Sequence, residues 1–378
     1  MSDAASNADE LFERALHSRE QGDAEGALSG LRAVLEIDPN HMQAAGELAI
    51  TLGQTGRLDD ALEVLDEAVD RSGDDAWLLA NRAIARGLSG QFEQSIEDFD
   101  RAVTLSPDDP QLLASRAETK RAMGRLEEAA EDFTNALRMD EDGMIGVLVG
   151  RGEIFKEIGD FDLAMADFNA VISRDPDNPE AYGCRGEVHR IQGRHDEAIV
   201  DFSQALTISH EYEGALMSRG IAYRQAGRAD DALSDFSKLI DQFGETTAAL
   251  ASRGETYRQM GQYQSALDDF NRALEIDPED AIVYAGRGET YRQMYEYEKA
   301  LTDFDRAITI HDQDGWIIAR RAETYRQLDR CEEAIADFNR AIEIDPEDTW
   351  AISGRGETYR QMGRFLDAVA DLDRAGGR

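Results

Sequence analysis

Arg253-Gly254-Glu255-Thr256-Tyr257-Arg258-Gln259-Met260 returns letter for letter at Arg287–Met294 and at Arg355–Met362. A near-copy, with Ala322 for Gly and Leu328 for Met, lies at Arg321–Leu328. Each copy stands 34 residues after the one before. A fixed step of that size marks a repeat array, whose units bury their apolar faces against one another. The chain has 378 residues, more than one hydrophobic core usually supports. Stacked units need no common core, so the step replaces the expectation of two or three globular domains.

Numbering each repeat so that Gly254 is position 8 gives eleven repeats: 8–41, 42–75, 76–109, 110–143, 145–178, 179–212, 213–246, 247–280, 281–314, 315–348 and a shortened 349–378. Residues 1–7 form a polar N-terminal lead, and Met144 is one extra residue between the fourth and fifth repeats. Position 8 is Gly or Ala in every repeat, from Ala15 to Gly356. Position 20 is Ala in all but the third, which has Ser95, and position 24 is Phe or Leu. Positions 4, 8 and 11 share one face of a first helix, and 20, 24 and 27 share one face of a second. Small residues at 8 and 20 let the two helices approach, and the large residue at 24 fills the space beside them. A Gly-containing turn such as Met362-Gly363-Arg364 separates the helices. Asp-Pro, as in Asp277-Pro278, stops the second.

This register resembles the tetratricopeptide repeat family over residues 8 to 378, through the residues at positions 8, 20 and 24, the aromatic or His at 11 and the proline at 32. The resemblance implies an all-α fold: an α-solenoid of stacked helix-turn-helix repeats forming a right-handed superhelix, with the first helices lining a concave groove. It also implies a non-enzymatic scaffold or adaptor that binds a peptide or protein there. Two departures stand out. Repeats one to four carry Ser18, Leu52, Arg86 and Lys120 at position 11. Repeat seven has Leu239 at position 27 and Gln242-Phe243-Gly244 where Asp-Pro would stand, so a local irregularity is expected there.

Asp and Glu number 78 against 40 Lys and Arg, a net charge of -38. Nucleic acid and anionic membrane surfaces are thereby disfavoured as partners, since both are held by clustered basic side chains. The first ten residues lack an apolar signal-peptide core and no run of 18 apolar residues occurs, so a cytoplasmic protein is expected. Its two cysteines, Cys184 and Cys331, fall four repeats apart, too far to bridge within a stack.

Position 7 is Arg in ten of the eleven repeats. It lies at the edge of the core face, where a guanidinium needs a partner. Asp at position 23 accompanies it in nine repeats, from Arg82 with Asp98 to Arg355 with Asp371. Repeat two lacks both, with Leu48 and Val64. The co-occurrence predicts a structural Arg–Asp pair inside each repeat.

Positions 2, 5, 9, 12 and 13 lie on the opposite side of the first helix. In the last four repeats, position 9 is Glu255, Glu289, Glu323 and Glu357; position 12 is Arg258, Arg292, Arg326 and Arg360; position 13 is Gln259, Gln293, Gln327 and Gln361. Two readings are open. Glu and Arg three apart pair with each other on a solvated face, or the groove presents arginine forks and Gln amides to a bound chain. Trp77, Trp316 and Trp350 all occupy position 2. They either pack between adjacent repeats or, at Trp316 and Trp350, anchor a partner's apolar side chain.

His189 and His195 fall at packing positions 11 and 17, and no metal-ligand spacing surrounds them. Asp140-Glu141-Asp142-Gly143 and Asp312-Gln313-Asp314-Gly315 are too short for a calcium loop. No P-loop, dinucleotide fingerprint or nucleophile elbow is present, so neither catalysis nor a cofactor or metal is expected. The last repeat stops at Ala375-Gly376-Gly377-Arg378 without a capping helix, leaving Val369 and Leu372 as candidates for an apolar end. Self-assembly into a homo-oligomer through that end is therefore the alternative to a groove-bound protein or peptide.

Overall fold

A computed structural model of the protein describes residues 2–140 and 145–376. Met144 and the stretch Glu141-Asp142-Gly143 lie outside the described residues. Among the described residues the chain is all α-helix and turn, with consecutive helices in antiparallel pairs. It divides into two compact units, Met1–Val188 and His189–Arg378. The first helix begins at Ser2 and runs to Glu20, so from Ser2 onward the expected polar lead is the opening of that helix. Its alanines favour helix.

Repeat eight shows how a unit is built. Its first helix, Thr247–Gln259, starts where the Thr246 hydroxyl accepts the backbone N–H of Ala249. It ends on Gly261, whose φ of 74° turns the chain while the Gln262 N–H donates to the Tyr257 carbonyl. The second helix, Tyr263–Ile276, stops at the extended Asp277. Phe270 at position 24 is 2 % exposed. A Cβ added at Gly254 in the same repeat would come within 3.2 Å of that ring, and one at Gly286 in the next repeat within 2.9 Å. The ring is thus wedged between its own first helix and the following one. That contact stacks one repeat on the next, and the missing Cβ atoms make room for it.

The Arg–Asp pair forms as expected in eight repeats. Arg82, Arg116, Arg151, Arg219, Arg253, Arg287, Arg321 and Arg355 each donate Nε and Nη2 to both oxygens of the position-23 Asp at 2.6–2.8 Å. The fork carries a further bond that the expectation did not include. In each of these, and in Arg185, Nη1 donates to position 25 of the preceding repeat at 2.6–3.3 Å. The acceptor is Asp, Asn, Ser or Thr: for Arg287 it is Asn271, for Arg321 Asp305. The guanidinium therefore ties a repeat together internally and also to its neighbour.

Position 11 adds to the same cluster. Phe155, Tyr223 and Tyr325 lie under the guanidinium groups of Arg151, Arg219 and Arg321 at 5.7–5.8 Å. In repeats three and four a cation stands in its place: Arg86 donates to Asp98 at 2.8 Å and Lys120 to Asp132 at 2.7 Å. Position 10 is also settled. Thr256, Thr290, Thr324 and Thr358 are fully buried, and each hydroxyl donates to the carbonyl four residues earlier at 2.7–2.8 Å, which satisfies it without leaving the helix.

Repeat seven is irregular in one respect. Its second helix, Ala229–Phe243, has 15 residues where repeat eight has 14, and it ends on Gly244 at φ 90° in place of Asp-Pro. Leu239 fills position 27 and is 2 % exposed. In repeats nine and ten the turn glycine is replaced by Tyr295 and Asp329, held at φ 62° and 59°. Side chains adopt that region at a cost of roughly 1–2 kcal/mol.

Two outcomes are expected. Asp303→Ala leaves the Arg287 guanidinium, 20 % exposed beside a 6 % exposed Asp303, with Asn271 alone, and lowers stability by about 3 kcal/mol; chemical denaturation followed by circular dichroism measures it. Tyr295→Gly relieves the left-handed turn and raises stability by about 0.5–1 kcal/mol in the same experiment.

Candidate functional site

The first helices of the last four repeats are Thr247–Gln259, Ala281–Gln293, Gly315–Gln327 and Thr349–Gln361. Asp280, Asp314 and Asp348 cap the latter three by accepting N–H groups of the first turn. The caps fix position 2 in that turn, and Ile282, Trp316 and Trp350 there are 73 %, 48 % and 40 % exposed. An apolar side chain thus stands open in three successive repeats.

The ladder positions pair mainly within their own helices. Arg258 grips Glu255 at 2.5–2.8 Å, Arg292 grips Glu289 at 2.6–2.8 Å, Arg326 grips Glu323 at 2.6–2.8 Å and Arg360 meets Glu357 at 2.7 Å. Gln259, Gln293 and Gln327 donate to the same glutamates at 2.7–3.1 Å. Gln361 instead reaches Asp329 of the preceding repeat at 2.8 Å. Glu289 is 4 % exposed, although its position lies opposite the expected core face. Burial, the largest single effect, works against its charge, but the hydrogen bonds from Arg292 and Gln293 and the charges of Arg292 and Arg320 together outweigh it and hold the carboxyl below its ordinary value.

Two arginines fall outside this pairing. Arg224 occupies position 12 of repeat seven, but position 9 there is Ile221, so the helix offers it no glutamate. Its Nε is shielded from solvent and lacks a hydrogen-bond partner. Arg320 occupies position 6, where the other repeats of this unit have Ser or Gly. Its Nε is also shielded and unpartnered, and its guanidinium lies 5.2 Å from the Trp316 ring and 4.3 Å from the Trp350 ring. Burial lowers the pKa of both groups, whereas Asp303 raises that of Arg287 through its hydrogen bonds. Sequence reasoning singled out neither residue. The signal was present: the Glu–Arg co-occurrence breaks at Ile221, and Arg320 is the one arginine at position 6.

Arg224, Ala251, Ile282, Glu289 and Trp316 help to line a trough of about 350 Å³ across repeats seven to ten, floored in part by Phe270 and Ile317. In the first unit, a separate trough lined by Ile50, Leu58, Ile84 and Leu88 has no charged side chain in its wall. Trp77 in the first unit is 40 % exposed, and its ring also lies against Gly46 of the preceding repeat, where a Cβ would collide with it. Trp350 likewise packs and stays open, tilted 6.3 Å from Phe338 while 40 % exposed.

Among the described residues no group of three His, Cys, Asp or Glu side chains is placed to hold a metal ion. His189 lies 3.7 Å from Asp201, its ring at the place of the aromatic that flanks the position-23 Asp elsewhere. Both cysteines are free, and burial raises the Cys184 thiol pKa. No described helix is long and apolar enough to cross a membrane.

Sequence profiles described as tetratricopeptide repeat match residues 18–82, 80–144, 149–215, 215–246 and 247–280, and one described as TPR repeat matches 322–375. No curated protein matches the sequence. Among solved structures, the chain is similar to one in the crystal structure of the APC/C hetero-tetramer Cut9-Hcn1, with 13 % identity and a TM-score of 0.51 over 97 % of this chain and 93 % of that one. At that identity the likeness is one of fold. With the 34-residue register and paired helices carrying small residues at positions 8 and 20, these matches place the chain in the tetratricopeptide repeat family.

Proposed function

We propose that the chain is a non-enzymatic protein–protein interaction scaffold, an adaptor that holds a protein or peptide segment along the first helices of repeats eight to eleven. The observation that carries this reading is the exposed row Ile282, Trp316 and Trp350. Large apolar side chains standing open in successive repeats, rimmed by polar ones, mark an interaction surface. The glutamates, arginines and glutamines at positions 9, 12 and 13 supply that rim. Because Arg258, Arg292 and Arg326 are engaged by their own glutamates, the rim orients a partner while the apolar row contributes most of the affinity. Enzymatic activity has no support in the motifs or side-chain clusters described.

The test is affinity capture on the immobilised full chain, followed by titration of the purified partner. Ile282→Ser combined with Trp316→Ser is expected to weaken that partner roughly thirtyfold, the effect of losing a hot spot of about 2 kcal/mol, with helix content unchanged. Undiminished affinity would place the contact elsewhere.

Self-association through the final helix, Phe365–Ala375, is a second reading. It is favoured by Phe365, Leu366 and Val369, which are 66 %, 89 % and 57 % exposed. Of the two residues expected at that end, Leu372 is half-buried. Light scattering across a concentration series would show the mass rising; a monomer throughout removes this reading.

A further inference from the structure

Position 18 falls in the first turn of each second helix and faces solvent. In repeats one to ten it is Asp, Glu or Gln, from Glu25 to Glu332, and exposed in each. In repeat eleven it is Leu366, almost entirely exposed. Two neighbours on the same helix are open with it. Position 17 is half-buried in the first ten repeats, from Ala24 to Cys331, but exposed at Phe365. Position 21 is buried or half-buried from Leu28 to Ile335, where another repeat follows, but exposed at Val369. A repeat stacked in the usual register would cover positions 17 and 21. It would not cover position 18, which ten such junctions leave in water. Leu366 therefore joins Phe365 and Val369 in one apolar patch that calls for a covering surface of a different kind.

The first helix of repeat one is not that surface. First helices meet the preceding repeat through positions 6 and 10: a Cβ at Gly286 would press on Phe270, and the Thr119 hydroxyl lies 3.5 Å from that of Ser95. Position 10 is buried in repeats two to eleven, from Thr51 to Thr358. In repeat one these positions are Glu13 and His17, both exposed. Covering them with apolar side chains would strip polar groups of water without return, so head-to-tail stacking is disfavoured. The final helix is better suited to its own copy. Turned antiparallel, a second such helix brings the same apolar residues onto the patch. It also directs each Arg364, at the start of one helix, toward the exposed Asp373 at the far end of the other. Elsewhere the acids at position 18, in a chain of net charge -38, hold copies apart.

We infer that the final helix pairs with the final helix of a second copy about a two-fold axis, with Phe365, Leu366 and Val369 of each packed against those of the other. This rests on the self-association reading and specifies the surface that receives the helix and the symmetry of the contact. The same patch serves on both copies, so the contact closes at two chains, whereas a contact between unlike surfaces would go on adding chains or close a ring. Three apolar side chains from each copy make a small interface, and the dimer is accordingly weak, half-formed on the order of 10–100 μM.

Sedimentation velocity of the full chain across a concentration series is expected to show passage from one chain to two and no further. Leu366→Glu restores the residue type of the other repeats at a nearly fully exposed site, so helix content should not change. Dimerisation should weaken at least roughly tenfold, because both copies lose an apolar side chain from the contact. Leu366→Gln, after Gln264 of repeat eight, should act in the same direction. Titrating fluorescein-labelled Leu366→Glu with the unmodified chain tests the symmetry: a two-fold contact loses one of its sides, so binding should again be weaker than that of the unmodified chain for itself. Mass growing past two chains, or labelled Leu366→Glu binding the unmodified chain at full strength, overturns the inference and leaves self-association through the final helix standing. A monomer up to about 500 μM, or Leu366→Glu dimerising with unchanged strength, overturns both.

Discussion

The bidentate contact between Arg at position 7 and Asp at position 23 is the interaction on which the rest depends. In the repeats that carry it, it places a nearly dry, charge-assisted pair at the edge of the core and fixes the two helices of the repeat relative to one another. The third donor of the same guanidinium reaches into the preceding repeat. One side chain therefore sets both the geometry inside a unit and the spacing to the next. Buried pairs of this kind contribute less net stability than their strength suggests, because desolvation offsets most of the attraction. Their larger effect is on register, since a misplaced helix would strand the guanidinium and carboxylate together.

The apolar packing works with this pair. The Phe ring at position 24 occupies space that only Gly or Ala at position 8 leaves open, and Gly286 and Gly354 extend that space into the following repeat. The polar fork and the ring thus hold the same junction from two sides. The excess of negative charge is carried largely on second helices and loops, away from the first-helix face where the arginines gather.

Most of the fold was legible in the sequence because a repeat array states its structure many times over. The 34-residue step, the small residues at 8 and 20, and the Arg–Asp co-occurrence each carry their own internal replication. Part of what escaped detection is not repeated in the same form. The acceptor at position 25 changes among Asp, Asn, Ser and Thr, so it does not read as a motif although every member offers an oxygen. Thr at position 10 looks idle until its hydroxyl is seen folded back onto the helix. Arg224 and Arg320 were hidden for the opposite reason: each is a single deviation from a pattern, and attention to the pattern passes over it. Repetition reports architecture, and single departures from it are legible only residue by residue.

The varied acceptor at position 25 has a further consequence. Because Nη1 is satisfied by any of four residue types, the junction between repeats does not discriminate one neighbour from another. A 34-residue block could be copied or deleted whole, and the new junction would still find its oxygen and its small residue beside the ring. Array length is then free to drift by duplication without a loss of fit, and the near-identical run from repeat eight to repeat eleven has the form such drift would leave. Single-copy residues such as Arg320 do not share that freedom: a duplicated block would carry a second arginine against an indole, and so alter the surface.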